Sequence, residues 1–468
     1  MIKRILSMIL CFSLVFSFGG CASEKNQQEL TSEEKTELLS EAFVFTLPLM
    51  MFDATFVKST NTVTATDKQA PENQFIHAAN LATADFKDVV TPNVDTIYSQ
   101  IFLDLKEDAV ILEFPKTDRF CTVEIIDAYT NCIGIIDAME FENEIERFVF
   151  TGKDFSGNIP EGMSEIKSST DLVWIIVRTI CNNQEDLVNV KAIQSKMDSY
   201  TLAQYNAGTT EEKPEGEFDE NENFVPSQYL LTLSMQEYFE KANILLAQNA
   251  PADADKDILE RMEKINVGAN LEFDSSIFGE DTETLWKGLL STVVDEVTKN
   301  SMQFMTMNGC WSYMGEPIAE FGTEYDYRAL ISLVGLGANP VSVAVYPKAT
   351  TDSEGNRLNG ENKYVLHFEK DGLPKIEKNG FWSITIYDSN TNFLIDNEID
   401  RYCINDRSDV KFNEDGSLDI YIQAEKPDGD TSNWLPAYEG DFHLILRVYY
   451  PSEEVVNNTW SAPVINKK

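Results

Sequence analysis

Thr91-Pro92-Asn93-Val94-Asp95-Thr96-Ile97-Tyr98-Ser99 sets the architecture of this 468-residue chain. Pro92 disfavours a helical Thr91, so the stretch enters extended structure. From Asn93 the residues step in twos, with Asn93, Asp95 and Ile97 predicted on one face and Val94, Thr96 and Tyr98 on the other. Apolar Ile101-Phe102-Leu103 then continues the strand. A second dense stretch, Phe381-Trp382-Ser383-Ile384-Thr385-Ile386-Tyr387-Asp388, answers it near the far end. Amide, carboxylate, hydroxyl and phenol groups within six residues can bind a sugar, a metal or a polar head group. Asx-turns that feed a strand use the same residue types for purely structural ends.

Outward from Thr91, short β-rich runs are predicted at Thr96–Leu103, Val110–Phe114, Phe120–Ile126, Asn131–Ile136, Phe148–Thr151 and Leu172–Thr179, separated by turn residues. A second set follows at Val341–Tyr346, Lys363–Phe368, Phe381–Tyr387, Asp409–Phe412, Leu418–Gln423 and Phe442–Tyr450. Helical spacing occupies the middle: Asp186 to Tyr205, a helix from Pro226, then Asp255 to Ile265, Thr282 to Met307, and Ala329 to Val334. Thr31 with Glu34 reads as a capping box that opens an earlier helix, which Pro48 is expected to kink or end. The sum is an α+β chain: two β-sandwich-like domains joined by a helical segment. Its expected parts are an N-terminal β-rich domain (31–185), a helical block (186–335) with an acidic loop (206–223), and a C-terminal β-sandwich (336–468).

The charge narrows the partners. Lys and Arg total 37 against 78 Asp and Glu, a formal net charge of −41. Such a surface repels phosphate backbones, which excludes nucleic acid as a main partner. Lys3 and Arg4 precede an apolar core, Ile5 to Phe18, that is shorter than a membrane span. Phe18-Gly19-Gly20-Cys21 then resembles the lipobox of bacterial lipoproteins. The reading is a signal peptide (1–20), a lipid anchor at Cys21 and a polar tether (21–30), placing the body outside the cytoplasm on the cell membrane. Cys121, Cys132, Cys181, Cys310 and Cys403 are scattered with no C-x-x-C and no neighbouring His, so no metal site is expected. Buried free thiols are the expectation, with a Cys121–Cys132 disulfide across the turn near Asp127 left open. No cofactor motif occurs: the glycines of Gly335-Leu336-Gly337-Ala338-Asn339 neither follow a strand nor precede a helix.

Several motifs together resemble a paired family of bacterial proteins whose halves are known only as domains of unknown function 1254 and 1214. The first half is carried by Pro92-Asn93-x-Asp95-Thr96-x-Tyr98-Ser99, Asp127-Ala128-Tyr129-Thr130-Asn131 and Val173-Trp174-Ile175-Ile176-Val177-Arg178-Thr179. The second is carried by Tyr325-x-Tyr327-Arg328, Gly380-Phe381-Trp382-Ser383-x-Thr385-x-Tyr387-Asp388, Asn433-Trp434-Leu435-Pro436 and Leu446-Arg447-x-Tyr449. The resemblance implies two sandwich-like domains with helices between them and implies no established activity.

Candidate ligand-binding residues are Asn93, Asp95, Thr96, Tyr98, Asp127, Trp382, Tyr387, Arg401, Trp434 and Arg447. They suit a pocket between the β domains for a small molecule, a saccharide or a lipid. The competing reading is an extracytoplasmic hydrolase, for example a glycosidase, with Asp95 or Asp127 as acid or base. His77, His367 and His443 sit among apolar neighbours, and no G-x-S-x-G elbow is present, which disfavours a serine hydrolase.

Overall fold

A computed structural model describes residues 30–468. The expected signal peptide, the expected lipidation site Cys21 and the expected tether up to residue 29 lie outside the described residues. The chain folds as α+β with several sheets, antiparallel except for two strand pairs.

The first helix, Ser32–Thr60, opens on the expected box: Thr31 Oγ1 accepts from the Glu34 amide, and Glu34 returns a carboxylate to the Thr31 amide. Pro48 does not end it. Proline removes one intrahelical hydrogen bond. Here Leu39, Ala42, Phe45, Leu49, Met50 and Ala54 around it are fully buried, and that apolar burial outweighs one lost bond. The helix is long and apolar enough to cross a membrane, yet most of it is buried inside the protein. Its surroundings include the helices Pro226–Thr232, Met235–Gln248, Lys256–Met262, Thr282–Ser301 and Tyr325–Val334, which share one apolar core with it.

The N-terminal sandwich packs on this core through Phe102, Ile126, Trp174 and Ile176, and a second, C-terminal sandwich has a core of its own. In the N-terminal one, a five-stranded sheet has the order Ile76–His77, Thr96–Asp104, Leu172–Ile180, Cys121–Asp127, Cys132–Asp137. It packs on a four-stranded sheet ordered Ser164–Lys167, Ile145–Thr151, Val110–Pro115, Asp198–Thr201. Ile101, Leu103, Val123, Ile125, Ile175 and Val177 from the first sheet meet Leu112, Phe114 and Phe150 from the second. In the C-terminal sandwich, long strands Ile376–Asp388 and Phe442–Pro451 pair centrally. Their Trp382, Ile384, Ile386, Leu444, Leu446 and Val448 pack on Leu366, Ile420 and Ile422 of the opposing sheet.

Some expected elements differ. Asp409–Phe412 is not a strand. The Asn433 side chain takes both main-chain groups of Lys411, accepting from its N–H at 2.7 Å and donating to its C=O at 2.7 Å, so an amide replaces a partner strand. The helix expected to run to Met307 stops at Ser301, and Met305–Asn308 and Trp311–Met314 form a hairpin. Gly309-Cys310, with Gly309 at φ 59° in the first central position, forms its two-residue turn. Asp198–Thr201, read as helical, pairs instead with Val110–Pro115.

A polar seam as candidate functional site

Because strand side chains alternate, each large sheet has a second face behind its own sandwich core. Those two faces meet, and both carry polar groups. On the N-terminal sheet, Tyr98, Arg178 and Thr122 stand side by side across three strands, with Glu124 in the adjacent row. On the C-terminal sheet the facing set includes Phe381, Ser383, Thr385 and Tyr387, beside Arg447 and Tyr449 of the neighbouring strand.

Asp95 is fully buried in this seam. Its carboxylate accepts from Ser383 Oγ (2.5 Å), Asn405 Nδ2 (3.0 Å) and Arg407 Nη2 (2.7 Å). Its own amide donates to Asn93 Oδ1 at 2.8 Å. Arg407 also pairs with Asp406 at 2.6 Å and lies 4.7 Å above the Phe381 ring. Burying charges is compensated here by ion pairing and by hydrogen bonds to the remaining lone pairs.

Arg447 is the second fixture. It donates to Thr385 Oγ1 (3.1 Å), to the Thr91 carbonyl (3.0 Å) and to Tyr387 Oη (2.8 Å), and Tyr387 donates to the Pro92 carbonyl (2.7 Å). Burial pushes the Tyr387 phenol up to about 12. Thr91 turns at φ 45°, and the strand begins only at Thr96. The expected two-step alternation from Asn93 therefore fails. Asn93 donates to Tyr449 Oη at 2.7 Å and lies 3.4 Å from Tyr98 Oη, joining the side of Tyr98 rather than opposing it.

Arg178 is the third. It pairs with Glu124 at 2.5 Å, reaches Asn339 Oδ1 at 3.0 Å and the Gly337 carbonyl at 2.7 Å, and lies 5.6 Å from the Tyr98 ring. Burial holds the Glu124 carboxyl up at about 7 against the pull of Arg178. Gly337, at φ 78°, lets its backbone approach: a Cβ there would meet Ile176 and Trp174. Asn339 also donates to Tyr346 Oη at 2.7 Å. Burial raises the phenols of Tyr346 and Tyr449.

Of the residues singled out from sequence, Asn93, Asp95, Thr96, Tyr98, Tyr387 and Arg447 converge on the seam. The others lie elsewhere. Asp127 is buried in its own turn, accepting from the amides of Tyr129 and Asn131 at 2.9 Å each. Trp382 points into the C-terminal core beside Phe368, 5.9 Å between rings. Arg401 donates to the carbonyls of Thr431, Ser432 and Trp434, and Trp434 Nε1 donates to the Gln423 carbonyl, so both fasten loops. The seam adds Glu124, Arg178, Asn339, Tyr346, Ser383, Asn405, Arg407 and Tyr449. Arg178 carried a signal, a lone charge inside an otherwise apolar strand; Asn405 and Arg407 carried none.

His77 bonds Ser99 at 2.8 Å, but burial lowers it to about 4, and the other partner of Ser99 is Gln194, not a carboxylate. His443 is lowered to about 3 by burial and stacks on Tyr387. His367 pairs with Asp419 at 2.6 Å, which raises it. Among the described residues, no three His, Cys, Asp or Glu side chains are grouped to hold a metal ion. Cys121, Cys132, Cys181, Cys310 and Cys403 are free thiols. Cys121 stands opposite Thr179 and Cys132 opposite Ile126, so the pair across the hairpin is out of register for a bond.

Two families described as proteins of unknown function match the sequence, DUF1254 over residues 72–201 and DUF1214 over residues 343–453. The crystal structure of the VPA0106 protein from Vibrio parahaemolyticus is similar at 21% identity and a TM-score of 0.69, covering 94% of this chain and 100% of that one. An uncharacterised protein from Burkholderia cenocepacia aligns over 93% of each chain at 13% identity and a TM-score of 0.41. No curated protein matches.

Proposed function

The chain belongs to the paired DUF1254 and DUF1214 family, and on that premise we propose that it is a membrane-tethered binding protein of the bacterial cell envelope, with its ligand seated in the seam between the halves. The basic start, the short apolar core and Cys21 support export and lipid anchoring. One lipid chain anchors reversibly and two or more anchor durably, at about 0.8 kcal/mol per buried methylene.

One observation carries the binding reading. Thr96 Oγ1, Thr122 Oγ1 and Glu124 Oε1 are buried with no protein partner. Beside them, Asn93, Tyr98 and Tyr346 are only half-buried. Leaving a buried polar group unpaired costs on the order of 1–3 kcal/mol, which favours an occupant that supplies the missing bonds. Hydroxyls, phenols, an amide and a carboxyl suit a small hydroxylated ligand such as a saccharide. Hydrolysis has no comparable support: Asp95 and Asp127 are both buried and committed to fixed donors.

The test is a thermal-shift screen of the full chain in detergent against mono- and oligosaccharides, with Thr122→Val as comparison. A sugar that raises the melting point of wild type and fails on the variant supports the seat; ligand in large excess over Kd adds about 2.7 kcal/mol at a hundredfold. If every sugar leaves both proteins unmoved, the saccharide reading is wrong. Fractionation of Cys21→Ala checks the anchor: the variant is expected in the soluble fraction.

A further inference from the structure

Two motifs of the sequence stay outside the seam, Asp127-Ala128-Tyr129-Thr130-Asn131 and Tyr325-x-Tyr327-Arg328. The fold brings them together around Arg328, which is only 2% exposed. Its guanidinium lies 5.3 Å from the Phe45 ring, 5.5 Å from Tyr129 and 5.3 Å from Tyr325. Ring faces attract the cation but give its in-plane N–H groups no acceptor oxygen. Arg328 Nε and Nη2 are buried with no hydrogen-bond partner. The arginines of the seam differ: Arg178, Arg407 and Arg447 each donate to at least one oxygen.

The neighbouring carboxylates do not supply the missing acceptors. Asp127 and Asp255 act on Arg328 through space, but both are turned to other donors. Asp127 accepts from the amides of Tyr129 and Asn131 and from Asn131 Nδ2 at 3.1 Å. Asp255 accepts from Tyr325 Oη at 3.0 Å and from the Ala252 amide at 3.1 Å. Nε and Nη2 are the side of a guanidinium whose two N–H bonds run parallel, the geometry that takes both oxygens of one carboxylate. A buried charged donor is costly to leave unbonded, which favours an occupant that brings two acceptors. The negative charge already held by Asp127 and Asp255 suits a monoanion and repels a dianion. Phe45 and Tyr129 are buried, whereas Tyr325, in the first turn of its helix, is half-buried. Of the three rings it alone stands between Arg328 and solvent.

We infer that Arg328 is the seat of a small organic monocarboxylate, its two oxygens on Nε and Nη2 and its apolar tail among the three rings, entering as the Tyr325 side chain moves aside. Isothermal titration of the full chain in detergent with sodium acetate, propionate and butyrate at constant ionic strength tests it, beside sodium phosphate. Saturable binding is expected for the carboxylates, tightening about fourfold per added methylene, and none for phosphate. Arg328→Lys keeps the charge but loses the parallel pair of donors, and is expected to weaken butyrate at least tenfold. Tyr325→Ala, at a half-exposed position, removes one wall and is expected to flatten the chain-length series, which keeps the test open if Arg328→Lys does not fold. The inference fails if no carboxylate saturates, if phosphate binds in their place, if a folded Arg328→Lys binds butyrate as wild type does, or if the series is as steep in Tyr325→Ala as in wild type.

Discussion

Arg407 Nη2 stands 2.7 Å from Asp95 Oδ1, an ion pair made between the two matched halves of the chain. Asp95 →Ala leaves that guanidinium without its buried partner. Removing one member of a buried pair costs about 3–5 kcal/mol. Urea denaturation is expected to show that loss. Arg407→Met in the same background is expected to recover part of it, because partners in one network couple by about 0.5–3 kcal/mol. Strict additivity of the two losses would show that the pair is not a lock.

Glu124 gives the seam a pH dependence. Its carboxyl is raised from 4.5 to about 7 by burial. The folded protein thus holds a proton that the unfolded chain releases. The stabilisation is fully present below about 4.5 and is lost as pH rises through about 7. Glu124→Gln is expected to flatten this slope, seen as a wild-type advantage that shrinks between those pH values in a series of urea midpoints. Parallel slopes in the two proteins would rule out the assignment.

Phe120 is the apolar counterpart of the ion pair. Its ring lies 5.2 Å from each of Phe381, Tyr449 and Tyr450. Phe120→Ala is expected to cost about 3–5 kcal/mol, because the cavity it leaves lies between halves that polar bonds already fix. A midpoint within about 1 kcal/mol of wild type would show that the halves close over the gap.

Gly380 sits at the register shift in the pairing of the two long C-terminal strands. A Cβ there would run into the Tyr449 carbonyl and approach Tyr450. Gly380→Ala is expected to destabilise by about 1–3 kcal/mol through a forced backbone shift. Hydrogen exchange should show faster opening of Phe442–Pro451 in the variant; unchanged exchange there contradicts the crowding.

Much of the sandwich architecture was legible because period-two apolar runs are short-range signals. Leu418–Gln423 and the cores of Thr96–Asp104 and Phe442–Pro451 stand where alternation places them. Misses arose where a distant partner decides. Asp198–Thr201 becomes a strand because the edge of Val110–Pro115 accepts it, and Lys411 stays irregular because Asn433 occupies its backbone. Gly309 opens the hairpin turn inside a run whose apolar spacing reads as helical. The seam was half legible. Asn93, Asp95 and Tyr387 stand out by their crowded polar chemistry, whereas Asn405 and Arg407 are ordinary loop residues until the fold brings them to Asp95.

The strand entry at Thr91–Asp95 is fitted to residues about three hundred positions later in the chain. This makes the two halves poor currency for modular exchange. A chimaera joining one half to its counterpart from a distant relative would inherit one side of a lock without the matching side. Recombination should preserve the fold only where residues 91–95 and 383–449 travel together, which ties the inheritance of one half to that of the other.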